Sequence, residues 1–334
     1  MKPSKKDQIF LQRLQQISRG YWESSILFAA VKVGIFNSLC SGLKSVKEIS
    51  KNLKTDERAT EILLNALTAL GFLIKRDNHY QNHPFTDRCL VEGKTDYRGN
   101  FLLHGLDMWK AWGQLSEILY SGSPSTDLMD DLEENKERVK HFICAMYELA
   151  QEPAEKISRL IKPKSVEKFL DVGGGPGRYC FALLKKNPKI RAAIIDLPLP
   201  LQIAKRLIRE KGLTKSIKLI EGDFLEAEFG QGYDLILMSQ ILHSNSPEDC
   251  ALLMKKGYLS LREGGRLLIH DFILHEDKVS PPSAAIFAVN MLVNTEKGRT
   301  YTEGEIKDWM EGANFKGIRC FDVTPISRAI IGKK

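Results

Sequence analysis

The chain has 334 residues, of which 43% are hydrophobic and 27% charged. That length suits one large domain or two ordinary ones with an ample core, and no apolar run is long enough to cross a bilayer. The net charge of +7 comes from 49 basic residues interleaved with 42 acidic ones, without an arginine-rich or aromatic–basic tract, so it describes a solvated mixed surface and argues against a nucleic-acid partner.

The N-terminus, Met1 to Asp7, leads into an amphipathic helix rather than a signal core. Ile9, Phe10, Leu14 and Ile17 recur at helical spacing, and an apolar stretch follows from Tyr21 to Leu39. Ser45-Val46-Lys47-Glu48 is a capping-box pattern. Thr55-Asp56-Glu57 opens a second helix that carries Ile62, Leu63, Leu64, Leu67 and Leu70 and ends at Gly71. Phe72 to Lys75 and the segment around Tyr80 then read as a two-stranded wing. Helix, helix, wing is the plan of a winged-helix module, here over 1–95. Residues 96–160 return to helix as a connector, with Trp109, Trp112, Leu115 and Leu119 on one face.

From 161 to 334 strand-like runs alternate with helices. Strands fall at 168–172, 191–196, 217–221, 233–239 and 265–273, with weaker runs near 317–323 and 327–331. Helices fall near 177–187, 199–211, 247–261 and 303–312. This alternation predicts a doubly wound α/β sheet, whose ligands bind beyond the carboxyl ends of the strands. The six cysteines (40, 89, 144, 180, 250, 320) are scattered, without C-x-x-C or metal-ligand spacing to a histidine. They read as reduced thiols of a cytoplasmic protein, with no metal site.

The first strand runs into Asp171-Val172-Gly173-Gly174-Gly175-Pro176-Gly177. Glycines at 173, 175 and 177 permit a tight turn and close approach of a ligand, and the following helix offers unpaired N–H groups. A dinucleotide fingerprint needs G-x-G-x-x-G; here the third glycine comes one residue early and Arg178 stands in the expected place. The pattern D-x-G-x-G-x-G instead resembles the nucleotide turn of class I S-adenosylmethionine (SAM) methyltransferases. An ordinary strand-to-helix turn is the alternative, and the residues at the next three strand ends weigh against it. Asp196, with Leu197 and Pro198, ends the second strand 25 residues after Asp171, where a carboxylate can accept from ribose hydroxyls or cap the next helix. Asp223 and Phe224 follow the third strand, where they could meet an adenine amino group and its ring. Ser239 ends the fourth strand, and its backbone could line the methionine end.

At these motifs the chain resembles the O-methyltransferases that include acetylserotonin and plant caffeate-type enzymes and bacterial methyltransferases of polyketide and pigment pathways. The resemblance runs over nearly the whole chain: Leu70-Gly71-Phe72-Leu73, Trp112 with Leu115 and Gly122, the glycine turn, Asp196-Leu197-Pro198, Gly222-Asp223-Phe224 and Gly264 to Ile269. It implies a Rossmann-like SAM methyltransferase sheet, mixed with one antiparallel strand, behind a mainly helical winged-helix dimerisation domain. It implies a homodimer, a connector that lines the acceptor pocket, and SAM contacts at Gly173, Asp196, Asp223, Phe224 and Ser239. Ser239 stands where plant members carry lysine.

Methyl transfer needs the acceptor aligned with the methyl group and water excluded. A phenol is mostly neutral at pH 7, so a base that takes its proton makes it a better nucleophile. His243, just past the fourth strand in Ser239-Gln240-Ile241-Leu242-His243-Ser244, is the candidate base, and Asp271 at the end of the fifth strand is its candidate partner. Plant members carry a second acidic helper. Here the segment Asn294 to Glu303 needs a gap to align, with Thr300 or Glu296 opposite that glutamate. A reduced dyad of His243 and Asp271, or a site that works by positioning alone, are both open. The expected reaction is methylation of a hydroxyl on a small aromatic metabolite. Methylation of carbon and a non-methylating SAM enzyme are the alternatives on the same scaffold. A winged-helix DNA-binding regulator is more remote, because the helix after Thr55 offers Arg58 and then mostly apolar and acidic residues.

Overall fold

The computed structural model describes residues 4–124 and 135–334, which fall into two compact units, Met1–Met108 and Trp109–Lys334.

In the first unit, α1 (Lys5–Val33) starts at a capping box of Ser4 and Asp7 and stops at Gly34, whose φ of +89° a side chain would strain. After α2 (Ile35–Ser38) and the two-residue β1 (Lys44–Ser45), Ser45 and Glu48 cap α3 (Val46–Leu53), and Asp56 caps α4 (Glu57–Ala69). The hairpin β2 (Leu73–Arg76) and β3 (His79–Asn82) follows, and β1 pairs with β3 to make a three-stranded sheet. β1 is too short to leave a periodic signal. Helices α5 (Pro84–Leu90) and α6 (Gly99–Asp107) complete the unit. Its core gathers Ala30, Phe36, Ile49, Leu64, Leu67, Leu73 and Tyr80. The apolar side chains near the start of α1 are outside it: Phe10, Leu14 and Ile17 are 69%, 54% and 65% exposed.

The second unit opens with two short helices, α7 (Trp109–Trp112) and α8 (Leu115–Ser121). The expected single face of Trp109, Trp112, Leu115 and Leu119 is not formed, because the helix breaks at Gly113 and Gln114, and Leu119 and both tryptophans are exposed. Then come α9 (Lys136–Leu149) and α10 (Gln151–Leu160). The sheet has seven strands: β4 (Lys168–Val172), β5 (Arg191–Asp196), β6 (Ile217–Glu221), β7 (Tyr233–Ser239), β8 (Leu261–Asp271), β9 (Lys316–Thr324) and β10 (Ser327–Lys333). Their order is β6-β5-β4-β7-β8-β10-β9. β4 to β8 are parallel, and β10 runs antiparallel to both neighbours, which is the one antiparallel strand expected. The order reverses at β4, so the crevice at its carboxyl end is the switch point where ligands bind.

Helix α11 (Arg178–Lys186) follows β4, α12 (Pro198–Glu210) follows β5, α13 (Pro247–Ser260) follows β7, and α14 (Pro282–Asn294) and α15 (Glu303–Gly312) both lie between β8 and β9. Alternate strand residues feed cores on opposite faces. Leu170, Val172, Ile236 and Met238 join α13 and α15, whereas Phe169, Ile194, Leu235 and Leu237 join α10, α11 and α12. Every residue of β7 is buried, as a central parallel strand requires. Helix α14 was not anticipated. It is apolar nearly all round, from Ala284 to Val293, so it has no polar face to reveal a period. Among the described residues no helix is long and apolar enough to cross a membrane.

Candidate active site

Gly173, Gly175 and Gly177 all have positive φ, at +61°, +49° and +83°. The turn is tied back by Gly173 N–H donating to the Ile195 carbonyl at 2.8 Å and Gly177 N–H to Gly174 at 2.9 Å. Gly177 is the N-cap of α11 and brings no side chain to that end. A Cβ at Gly173 would lie 2.1 Å from Ile241 Cδ1 and 3.6 Å from the Phe224 ring, whereas one at Gly175 would meet only Asp196 Oδ2 at 4.0 Å. The turn is therefore closed on the Ile241 side and open beside Asp196.

Asp196 ends β5 and faces that opening. Its Oδ2 accepts from Gly175 N–H at 2.7 Å and its Oδ1 from Leu197 N–H at 2.8 Å. Burial raises its pKa against these two bonds. Each oxygen keeps lone-pair capacity for a diol. Asp196 does not cap α12: Leu197 holds the N-cap position, without a side-chain bond. Asp171 lies underneath the turn. It is wholly buried, Cys180 Sγ is 3.8 Å from Oδ2, and Oδ1 has no partner. Burial, then the charge of Asp196, pushes its carboxyl up to about 8. Asp223 is exposed and accepts from Leu225 N–H at 2.8 Å. Lys256 fixes the neighbouring segment by donating to the carbonyls of Phe224 and Leu225 at 2.7 and 2.8 Å. Ser239 turns its side chain away, bonding Tyr179 and His270, so only its main chain is free to line a pocket.

His243 sits on a 3-10 turn, Leu242–Ser244, directly after Ile241. Two bonds shape this loop: Asn245 Nδ2 donates to the Ile241 carbonyl at 2.6 Å, and Tyr301 Oη donates to the carbonyl of Asn245. His243 Nδ1 is 2.6 Å from Asp271 Oδ1. The same oxygen accepts from Phe272 N–H at 2.8 Å, and Oδ2 accepts from His243 N–H at 3.3 Å. Burial acts to raise the Asp271 pKa, but the neighbouring imidazole and these bonds outweigh it and hold the carboxyl below its ordinary value. An ionised Asp271 makes Nδ1 the protonated nitrogen and leaves the Nε2 lone pair free to take a proton. The imidazole is 12% exposed.

Gly298 packs against the His243 loop, and a Cβ on it would lie 2.5 Å from the His243 carbonyl. Thr300 is buried with its hydroxyl unpartnered, and Glu296 is exposed.

A model of the O-methyltransferase domain matches residues 114–316, and one of the O-methyltransferase dimerisation domain matches residues 15–92. The chain belongs to the O-methyltransferase family. It is 29% identical to the 3-hydroxy-5-methyl-1-naphthoate 3-O-methyltransferase of Streptomyces sahachiroi, over 92% of this chain and 90% of that one. An O-methyltransferase family protein from Burkholderia thailandensis superposes with a TM-score of 0.89 at 26% identity, covering 97% and 98% of the two chains. A solved structure of PigF with SAH gives 0.87 at 26% identity, covering 99% and 100%.

The candidate site also contains side chains that belong to no sequence motif. Phe287 of α14 sets its ring edge-on to His243 at 4.9 Å and stacks on Phe272 at 3.9 Å between centroids. One turn on, Asn290 accepts from Trp112 Nε1 at 3.2 Å. Pro282 at the first helical position was the available signal for this helix.

Proposed function

We propose that this chain transfers a methyl group from SAM to a hydroxyl of a small aromatic acceptor, with His243 as general base and Asp271 as its partner. The 2.6 Å bond between His243 Nδ1 and Asp271 carries the proposal. It holds one nitrogen as donor and leaves the other to receive the acceptor's proton. The aromatic pair of Phe272 and Phe287 beside the imidazole supports a flat ring as acceptor.

SAM supplies, when bound, an electrophilic methyl on a sulfonium. The turn of Gly173, Gly175 and Gly177 approaches it through backbone, and the open carboxylate of Asp196 receives its ribose hydroxyls. Leu197, Asp223 and Phe224 border the base, the Ser239 main chain borders the methionine end, and Asp171 supports the turn from beneath. Ile241 packs on Gly173 two residues before His243, which couples this cradle to the dyad. Two copies pair through the dimerisation unit, and the six free cysteines fit a cytoplasmic enzyme.

The test is incubation with methyl-labelled SAM and a panel of hydroxylated aromatics, with product connectivity read by NMR. An oxygen-linked methyl is the expected result. A carbon-linked methyl, or SAM binding with no product across the panel, overturns the reading.

A further inference from the structure

We propose that His270 is a positioning residue that locks the start of α11 to the ends of β7 and β8 and so sets the geometry of the cofactor cradle; this rests on the methyltransferase reading of the site. Strand alternation sends Asp271 to the reaction side of β8 and its neighbour His270 to the other. There His270 Nδ1 lies 2.9 Å from Ser239 Oγ and 3.2 Å from Tyr179 Oη, and Ser239 Oγ donates to Tyr179 Oη at 2.7 Å. On the far side of the ring, Nε2 is 2.9 Å from Ser327 Oγ, itself 2.7 Å from Thr324 Oγ1. The main chain adds a clasp, Gln240 N–H donating to the His270 carbonyl at 2.8 Å.

The partners explain the role. Tyr179 is the second residue of α11, two after Gly177. Ser239 is the last residue of β7, two before the Ile241 that packs on Gly173. His270 itself precedes Asp271. One imidazole thus gathers the glycine turn's helix, the strand that leads to His243, and the strand that carries Asp271. Tyr179, Ser239, His270 and Ser327 are all buried, so a lost partner there is not replaced by bulk water. Burial depresses the imidazole to about 4, so the ring is neutral at ordinary pH, with one donor and one acceptor. Nδ1 bonds within the Ser239 and Tyr179 hydroxyl pair and Nε2 bonds the Ser327 hydroxyl, one ring nitrogen donating and the other accepting. Gln240 has a φ of +60°, a strained conformation for a side-chain-bearing residue, and it is held at this junction by its bond to His270.

Two amide replacements separate the arms. The amide of His270→Asn occupies the Nδ1 position and retains the arm to Tyr179 and Ser239. That of His270→Gln reaches the Nε2 position and retains only Ser327. The affinity of the full chain for S-adenosylhomocysteine is measured by calorimetry, with melting temperature recorded alongside. We expect His270→Gln to weaken binding about tenfold and His270→Asn to stay within about threefold of wild type, at similar melting temperatures. Tyr179→Phe, which removes one hydroxyl from the same lock, should weaken binding like His270→Gln. Equal losses for the two amides, or unchanged binding in His270→Gln or Tyr179→Phe, overturn the proposal alone. A wild-type chain that does not bind S-adenosylhomocysteine overturns the methyltransferase reading with it.

Discussion

Replacing Asp271 by asparagine keeps the side chain's volume and removes its charge. The carboxylate now accepts three N–H groups: His243 Nδ1 at 2.6 Å, Phe272 at 2.8 Å and the His243 main chain at 3.3 Å. An asparagine can present its carbonyl to the first two, because they share Oδ1, but its amino group then faces the third donor. Hydrogen bonds to charged groups contribute about 1.5–3 kcal/mol and neutral ones about 0.5–1.5. The substitution therefore costs about 1–2 kcal/mol in holding the imidazole's tautomer and orientation, or about 5- to 30-fold in turnover. Initial rates of methyl transfer at saturating acceptor measure this, with S-adenosylhomocysteine affinity in parallel, which should stay within about twofold because Asp271 lies outside the cofactor cradle. Turnover equal to wild type, or an affinity loss as large as the rate loss, refutes the reasoning.

Asp196→Ala strands the N–H groups of Gly175 and Leu197 and removes the carboxylate offered to the ribose. It should weaken S-adenosylhomocysteine binding by more than about tenfold in calorimetry, and unchanged affinity contradicts the cradle. His270 also makes a pH prediction. Its folded-state pKa, about 4, lies below the unfolded value near 6.5, so below that pH the unfolded chain binds more protons and stability falls as pH drops. Denaturant unfolding should show a loss of about 3 kcal/mol from this group between pH 6.5 and 4, absent in His270→Asn; equal slopes in the two proteins refute it. Finally, glutamates in place of the exposed Phe10 and Ile17 should convert a dimer to monomers in light scattering, and an unchanged mass tells against α1 as the pairing surface.

Much of the sheet was legible because its central strands β4, β5 and β7 are short, almost wholly buried runs of mostly apolar residues. Ser45 and Asp56 open helices where their spacing predicts. The dyad was legible too, since His243 lies in the loop just past β7 and Asp271 ends the adjacent parallel strand β8, at the same edge of the sheet. Other features were hidden for physical reasons. Helix α14 lacks a polar face, so Phe287 and Asn290 had no period to announce them. The lock around His270 joins residues from four elements, a closeness that only the tertiary fold creates. Gly298 could be seen in the sequence, but its meaning, a backbone pressed against the His243 carbonyl, requires coordinates. Leu119 failed because Gly113 interrupts the helix that would have buried it.

His243→Ala tests the central claim most directly. Calorimetry with S-adenosylhomocysteine and single-turnover methyl transfer are run on the same preparation. The account predicts wild-type affinity with transfer slowed by about two to four orders of magnitude. Normal transfer at saturating acceptor would contradict it.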